Sequence, residues 1–256
     1  MMPAAVDAAL VNRWADALRA RFAAHADVSR AAPMQAYMKS AMSCRGIDAP
    51  LRRRLAADQV RAQPLPDTPT LAAVMRTLWR DARFREERYA ALELARVGPH
   101  ARLQDLTLLP LYEEMIRDGA WWDYCDDISA NAIARLLERH PQAMKPVLRR
   151  WARGENLWLR RAAFLCQRSL KAPAFDARLL YDTILPSIGN GRFAREFFIR
   201  KGIGWALRSR SYTAPDEVQA FLREYDAQLS PLTKREALKV IERRAAARGT
   251  TPRTRT

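Results

Sequence analysis

Three features of this 256-residue chain predict an all-α fold, an array of helix pairs stacked as an α-solenoid. Between turn signals, nearly every segment repeats its apolar residues with a 3.6-residue period. Nine glycines are few for this length, and no run of alternating β-branched residues reads as a strand. Helical segments of this length joined by short loops make antiparallel neighbours, and so many of them cannot share one bundle core. Stacked pairs of about 35 to 45 residues each can bury every apolar face.

The periodic segments run near 4–25, 32–43, 49–61, 68–80, 83–97, 104–118, 121–139, 142–153, 156–170, 176–188, 193–208, 214–225 and 231–246. Asp67-Thr68-Pro69, Thr213-Ala214-Pro215 and Ser230-Pro231 each place a cap residue just ahead of a proline that a first turn tolerates. Gly98-Pro99 and His140-Pro141 act as stops. The first three helices read as a cap on the array, and 63–69 (Gln-Pro-Leu-Pro-Asp-Thr-Pro) is the one linker-like stretch. A single repeat domain is expected over 1–246, followed by a basic, disordered tail over 247–256.

Apolar residues make up 49% of the chain, enough for a continuous core, yet the formal net charge is +16. The excess is mostly arginine, 38 against 6 lysines. Base-rich codon usage accounts for arginine over lysine, but not for 44 bases against 28 acids. The balance points to a polyanion, nucleic acid first, with an acidic protein or a membrane surface as alternatives. Cys44, Cys125 and Cys166 stand far apart and fit a reducing compartment. His25, His100 and His140 are isolated, the pattern of surface or loop residues, so neither a metal nor a cofactor is expected. Asp7 and Arg13 interrupt any leader, no apolar run approaches membrane-spanning length, and a soluble intracellular protein is expected.

The segment 120–139 organises the rest. On a regular helical wheel Trp122, Asp126, Ser129, Ile133 and Leu137 form one stripe, flanked by Cys125 and Leu136, while Asp123 and Asp127 point to solvent. A carboxylate in line with apolar residues costs several kcal/mol unless it is paired or put to use. Either Asp126 caps a helix or pairs with a buried arginine, or it is chemically active.

Three other stretches stand out. In 156–170 the apolar face is Trp158, Ala162, Leu165, Cys166 and Ser169, with Arg161 and Arg168 together at its edge, where they snorkel or point forks at phosphate. In 193–208 Phe198, Lys201, Gly202 and Trp205 share a face. Gly202 and Gly204 sit mid-helix, where each costs roughly 1 kcal/mol relative to alanine, so a backbone or a ligand should come close. Met34 to Lys39 opens the second helix and includes Tyr37, whose hydroxyl needs water or a partner.

Ala-Tyr-Met-Lys (36–39) with Arg-Gly-Ile (45–47), Arg-Glu-Glu-Arg-Tyr-Ala-Ala-Leu-Glu-Leu (85–94), Trp-Trp-Asp-Tyr-Cys-Asp (121–126), Leu-Trp-Leu-Arg-Arg-Ala-Ala (157–163) and Phe-Phe-Ile-Arg-Lys-Gly-Ile-Gly-Trp-Ala-Leu-Arg (197–208) together resemble the DNA alkylation-repair glycosylases of the HEAT-like repeat type, the AlkD group. The similarity runs in order over about residues 10 to 240. It implies a right-handed solenoid of HEAT-like helix pairs with a basic concave groove for duplex DNA. It also implies hydrolytic release of cationic purines alkylated at ring nitrogen 3 or 7, without enclosing the base in a pocket. By resemblance Asp126 is the catalytic carboxylate, with Trp122 and Trp205 lining the cleft. Arg161 matches the phosphate-binding arginine and Tyr37 a DNA contact, and Lys39, Arg168 and Lys201 are read as further contacts. The expected protein is a cytoplasmic monomer of the bacterial nucleoid. Asp127 beside Asp126, Cys125 in place of an apolar branched residue, and Ser40-Ala41-Met42 depart from the family pattern.

The inventory agrees with that chemistry. A cationic alkylpurine is already a good leaving group, so what helps is an anion near the developing sugar cation and a positioned water. Tryptophan faces favour the developing positive charge. The rival reading is a non-catalytic HEAT-like protein that binds duplex or branched DNA through the same basic groove.

Overall fold

The computed structural model describes residues 6–249, and among them the fold is all-helical, with one isolated bridge between Ser43 and Phe84 and no strand. The helices are α1 (Ala8–Ala24), α2 (Val28–Met38), α3 (Ala49–Ala62), α4 (Thr68–Arg80), α5 (Arg85–Leu94), α6 (Leu109–Gly119), α7 (Trp122–Asp127), α8 (Ala134–Arg139), α9 (Pro141–Arg153), α10 (Leu157–Leu165), α11 (Ala177–Ile184), α12 (Phe197–Arg210), α13 (Pro215–Glu224) and α14 (Pro231–Gly249). None of these helices is long and apolar enough to cross a membrane. A π-helical turn, Ile128–Ile133, joins α7 to α8. The helix expected over 104–118 begins later, with a 3-10 turn at Leu106–Leu108 ahead of α6, and another 3-10 turn covers Gly98–Leu103. Residues 250–256, most of the expected basic tail, lie outside the described residues, and α14 runs past 246.

Caps decide the boundaries. Asp7, Asp27, Asp48, Asp67, Asn156 and Asp176 each accept backbone N–H groups at a helix start. Asp27 starts α2 four residues earlier than the periodicity suggests, with Pro33 inside it, so Tyr37 and Lys39 close this helix rather than open it. Lys39 is the left-handed C-cap, with φ 49°.

The boundary between two compact units falls between Met115 and Ile116. In the first unit α1 packs on α3 and α4, and α5 on α3 and α4, and Trp14, Leu18, Phe22, Val74, Leu78 and Trp79 are fully buried. Each large side chain buried this way contributes roughly 1.5–3 kcal/mol. The 85–94 motif is structural here. Fully buried Glu86 accepts from the backbone N–H groups of Arg45, Gly46 and Ile47, and Glu93 pairs with Arg52 at 2.8 Å. Gly46 has φ +83°, and a Cβ there would lie 2.0 Å from the Asp27 carbonyl, so only glycine fits.

The stretch 63–69 is no loose linker. Leu65 is buried, and its N–H donates to His100 Nε2 at 2.8 Å, while His100 Nδ1 meets the Leu94 carbonyl at 3.2 Å. His100, expected at the surface, is therefore fully buried, and burial pushes its pKa down, which suits a neutral ring with the proton on Nδ1.

In the second unit α10 is wrapped by α7, α9, α11 and α12, and α12 packs along α14. Its core gathers Phe164, Leu180, Ile184, Ile199, Ile203, Leu207, Val218 and Phe221. Ion pairs between helices recur at similar sequence separations: 41 for Arg52–Glu93, 38 for Arg76–Glu114, 33 for Arg149–Asp182 and 35 for Arg161–Asp126. That spacing matches the length expected of one helix pair.

Candidate active site

All the site residues considered next, except Tyr37 and Lys39, belong to the second unit. Ala120, at φ 38°, turns the chain, and extended Trp121 caps α7, which carries Trp122 in its first turn and Asp126 in its second. The stripe read from sequence holds at Ser129, Ile133 and Leu137, all buried, and fails at Trp122 and Asp126 ahead of them. In the π turn Ala134 N–H reaches back five residues to Ser129 O, and the Ser129 hydroxyl donates to the Cys125 carbonyl. The buried residues of the segment are Tyr124, Cys125, Ile128, Ser129, Ala132, Ile133, Ala134, Leu136 and Leu137. Trp122 and Asp126 lie half-buried beside this face instead of within it, and Cys125 moves from flank to core. The Cys125 thiol donates to the Trp158 carbonyl; burial, then the adjacent Asp126 charge, pushes its pKa up to about 12, so it is no nucleophile.

Asp126 is paired with a buried arginine. Arg161 Nε donates to Oδ1 at 2.7 Å and Nη2 to Oδ2 at 2.8 Å, while Nη1 donates to the Phe198 carbonyl. Arg161 keeps 2% of its side chain exposed and Asp126 13%. The sequence places Arg161 at the helix edge, snorkelling or with its fork toward phosphate, and offers Asp126 a buried arginine as one partner; in the folded chain the Arg161 fork closes on Asp126. Geometry gives the reason: α10 is enclosed on several sides, so both Arg160 and Arg161 are interior. Arg160 spends its donors on the carbonyls of Gly154, Arg153, Pro186 and Arg192.

Gly202 makes room for this pair. A Cβ there would sit 2.6 Å from Arg161 Nη1 and 2.9 Å from the Phe164 ring. Gly204 serves another approach, since its Cβ would lie 2.5 Å from Glu236 Cβ and 2.9 Å from the Thr233 carbonyl on α14. The neighbours inferred for the two mid-helix glycines are thus a guanidinium in one case and a helix backbone in the other.

Trp205 stands half-exposed amid four cations: Arg168 at 5.5 Å from the ring centroid, Arg161 at 5.6 Å, Arg208 at 5.7 Å and Lys201 at 5.9 Å. Arg168 is exposed and has no carboxylate partner among the described residues. Lys201 is not free as its reading as a phosphate contact assumes; its Nζ donates to Glu236 at 2.6 Å, and Arg208 Nη1 donates to the same carboxylate at 3.1 Å. Beside Asp126, Trp121, Trp158 and Phe198 form an aromatic shelf with centroids 5.1 to 6.4 Å apart. Phe197, 52% exposed, extends it, and the buried Trp121 indole N–H has no partner among the described residues.

The second unit thus brings together Trp122, Asp126, Arg161, Arg168, Lys201 and Trp205. In the first unit Tyr37 is 75% exposed and Lys39 is exposed at the end of α2. Sequence reading missed Arg208, although the spacing Lys201, Trp205, Arg208 puts all three on one helical face. It also missed Glu236, which carries no local signal, and the Trp121–Trp158–Phe198 shelf. Among the described residues no group of three or more His, Cys, Asp or Glu side chains could hold a metal ion.

The family model for the DNA alkylation repair enzyme matches residues 18–241. A solved structure from Enterococcus faecalis, described as a predicted DNA alkylation repair enzyme, is 29% identical with a TM-score of 0.71, covering 84% of this chain and 95% of its own. No curated protein matches. With residues 18–241 matched, the chain belongs to the DNA alkylation repair enzyme family.

Proposed function

We propose that the protein is a monofunctional DNA glycosylase that hydrolyses the N-glycosidic bond of cationic purines alkylated at ring nitrogen 3 or 7 in duplex DNA. The observation that carries this reading is the Asp126 carboxylate, gripped at both oxygens by Arg161 and still partly open to solvent. As the bond to the charged base lengthens, positive charge develops on the deoxyribose. A fixed carboxylate opposes that charge and orients a water with its remaining lone pairs. Arg161 orients Asp126, so its part is positioning rather than phosphate capture. The half-exposed Trp205 and Trp122 offer faces on which sugar and base edges pack.

Exposed Arg168 is the phosphate contact nearest this centre, with Lys201 and Arg208 adding field, and Tyr37 and Lys39 are further backbone contacts. The helix pairs and their recurrent ion-pair spacing support a HEAT-like solenoid whose basic groove holds the duplex, with no enclosed pocket for the base. A monomer acting in the cytoplasm completes the reading. The closed Asp126–Arg161 pair is the observation that favours the alternative, a non-catalytic protein that binds duplex or branched DNA. Release of 3- or 7-methylpurine from methylated duplex DNA under single-turnover conditions decides between them. Glycosylase activity predicts base release by the natural protein and its loss in Asp126→Asn; binding without release establishes the alternative.

A further inference from the structure

Two of the four cations around Trp205 depend on a carboxylate from another helix. Glu236, on α14, is 2% exposed and accepts from Lys201 at 2.6 Å, from Arg208 at 3.1 Å and from Lys239 at 2.6 Å. Lys201 and Arg208 lie four residues before and three after Trp205, so all three share one face of α12. Left alone, two like charges on one helical face, with Arg161 and Arg168 near the same ring, would spread apart into solvent. The carboxylate holds both at the indole. It can stand there only because residue 204 is glycine, whose absent Cβ is replaced by the Cβ of Glu236. Burial alone would raise the carboxyl pKa, but hydrogen bonds from Lys201 and Lys239 outweigh it and bring it to about 2.

We propose that Glu236 is a positioning residue of the active site, seated by Gly204, which fixes Lys201 and Arg208 about Trp205 so that the indole and both cations meet the DNA backbone in one geometry. This rests on the reading of the site as a glycosylase centre. It makes α14 a working part of the site as well as a packing partner of α12.

The test uses the full chain carrying 5-fluorotryptophan, with the Trp205 signal assigned from Trp205→Phe, and compares Glu236→Gln with the natural protein. Removing an anion near DNA would on charge alone raise duplex affinity and leave or improve the rate. Positioning gives the opposite sign for chemistry: the single-turnover rate falls about tenfold or more while duplex affinity does not fall, the order expected when a reacting geometry slips by a fraction of an ångström. The Trp205 fluorine resonance shifts as well. Glu217→Gln, which removes the carboxylate paired with Arg210 at 2.5 Å away from Trp205, leaves both readouts unchanged in the folded protein. If Glu236→Gln does not fold, Glu236→Asp keeps the charge and withdraws it by one methylene, and the same two readouts decide. A natural rate, or an unmoved Trp205 resonance, overturns the proposal. If the natural protein releases no base, the glycosylase reading falls, and the resonance alone decides whether Glu236 arranges the cations.

Discussion

Arg161 grips both oxygens of Asp126, at 2.7 and 2.8 Å, and ties the pair to the Phe198 carbonyl on α12. The expectations of a buried ion pair and of an active carboxylate therefore merge, and a single substitution should move stability and rate together. Asp126→Asn should lower the excision rate about 10²- to 10³-fold through loss of the charge opposing the sugar cation. It should also cost about 3 kcal/mol, since Arg161 is left buried without its counter-charge. Melting temperature and single-turnover release, measured on the same samples, check both. Asp127→Asn should keep the natural rate, because Arg161 holds Asp126; a dead Asp127→Asn would move the site assignment.

Arg161 and Arg168 should separate chemistry from binding. Arg161→Lys keeps a charge but cannot grip two oxygens, so its rate should fall at least tenfold with duplex affinity within about threefold of natural. Arg168→Ala should weaken duplex binding and reduce the steepness of its salt dependence by about one phosphate's worth, a slope change near 0.9. Titrations between about 50 and 200 mM salt give these slopes, and the +16 chain should bind steeply more weakly across that range.

The two mid-helix glycines should fail differently. Gly202→Ala collides with Arg161 Nη1 and the Phe164 ring, both side chains that can shift, so the rate should suffer more than stability. Gly204→Ala meets the backbone carbonyl of Thr233 as well as Glu236, and over-packing against a helix backbone should cost about 1–3 kcal/mol. Urea midpoints alongside excision rates would show the split.

Acid stability should report Glu236. Its carboxyl lies at about 2 in the fold against an ordinary value of 4.5. A depressed carboxylate stabilises fully above its unfolded pKa, and that contribution drains away as pH falls from about 4.5 towards 2. Glu217, lowered first by its hydrogen bond from Arg210, loses its share on the same side. Glu236→Gln should flatten the decline of melting temperature over this window relative to the natural protein, and an unchanged slope would contradict the assignment.

Local sequence settles the helical class, most helix starts and stops, the net charge and the registers that bring Trp122, Asp126, Arg161 and Trp205 into notice. Those properties are encoded within about ten residues, in the 3.6-residue period and in caps such as Asp67 and Asn156. It also foretold that something presses on Gly202 and Gly204. Tertiary structure decided what presses there. Asp126–Arg161 and Lys201–Glu236 each join residues 35 apart, so their pairing depends on which helices lie side by side, and no local pattern carries that. The same holds for His100, isolated in sequence yet enclosed between Leu65 and Leu94. Packing decided the same point along 120–139: Ser129, Ile133 and Leu137 are buried as the wheel places them, whereas Trp122 and Asp126 on that stripe are only half-buried, because α10 seats against Cys125 beside them.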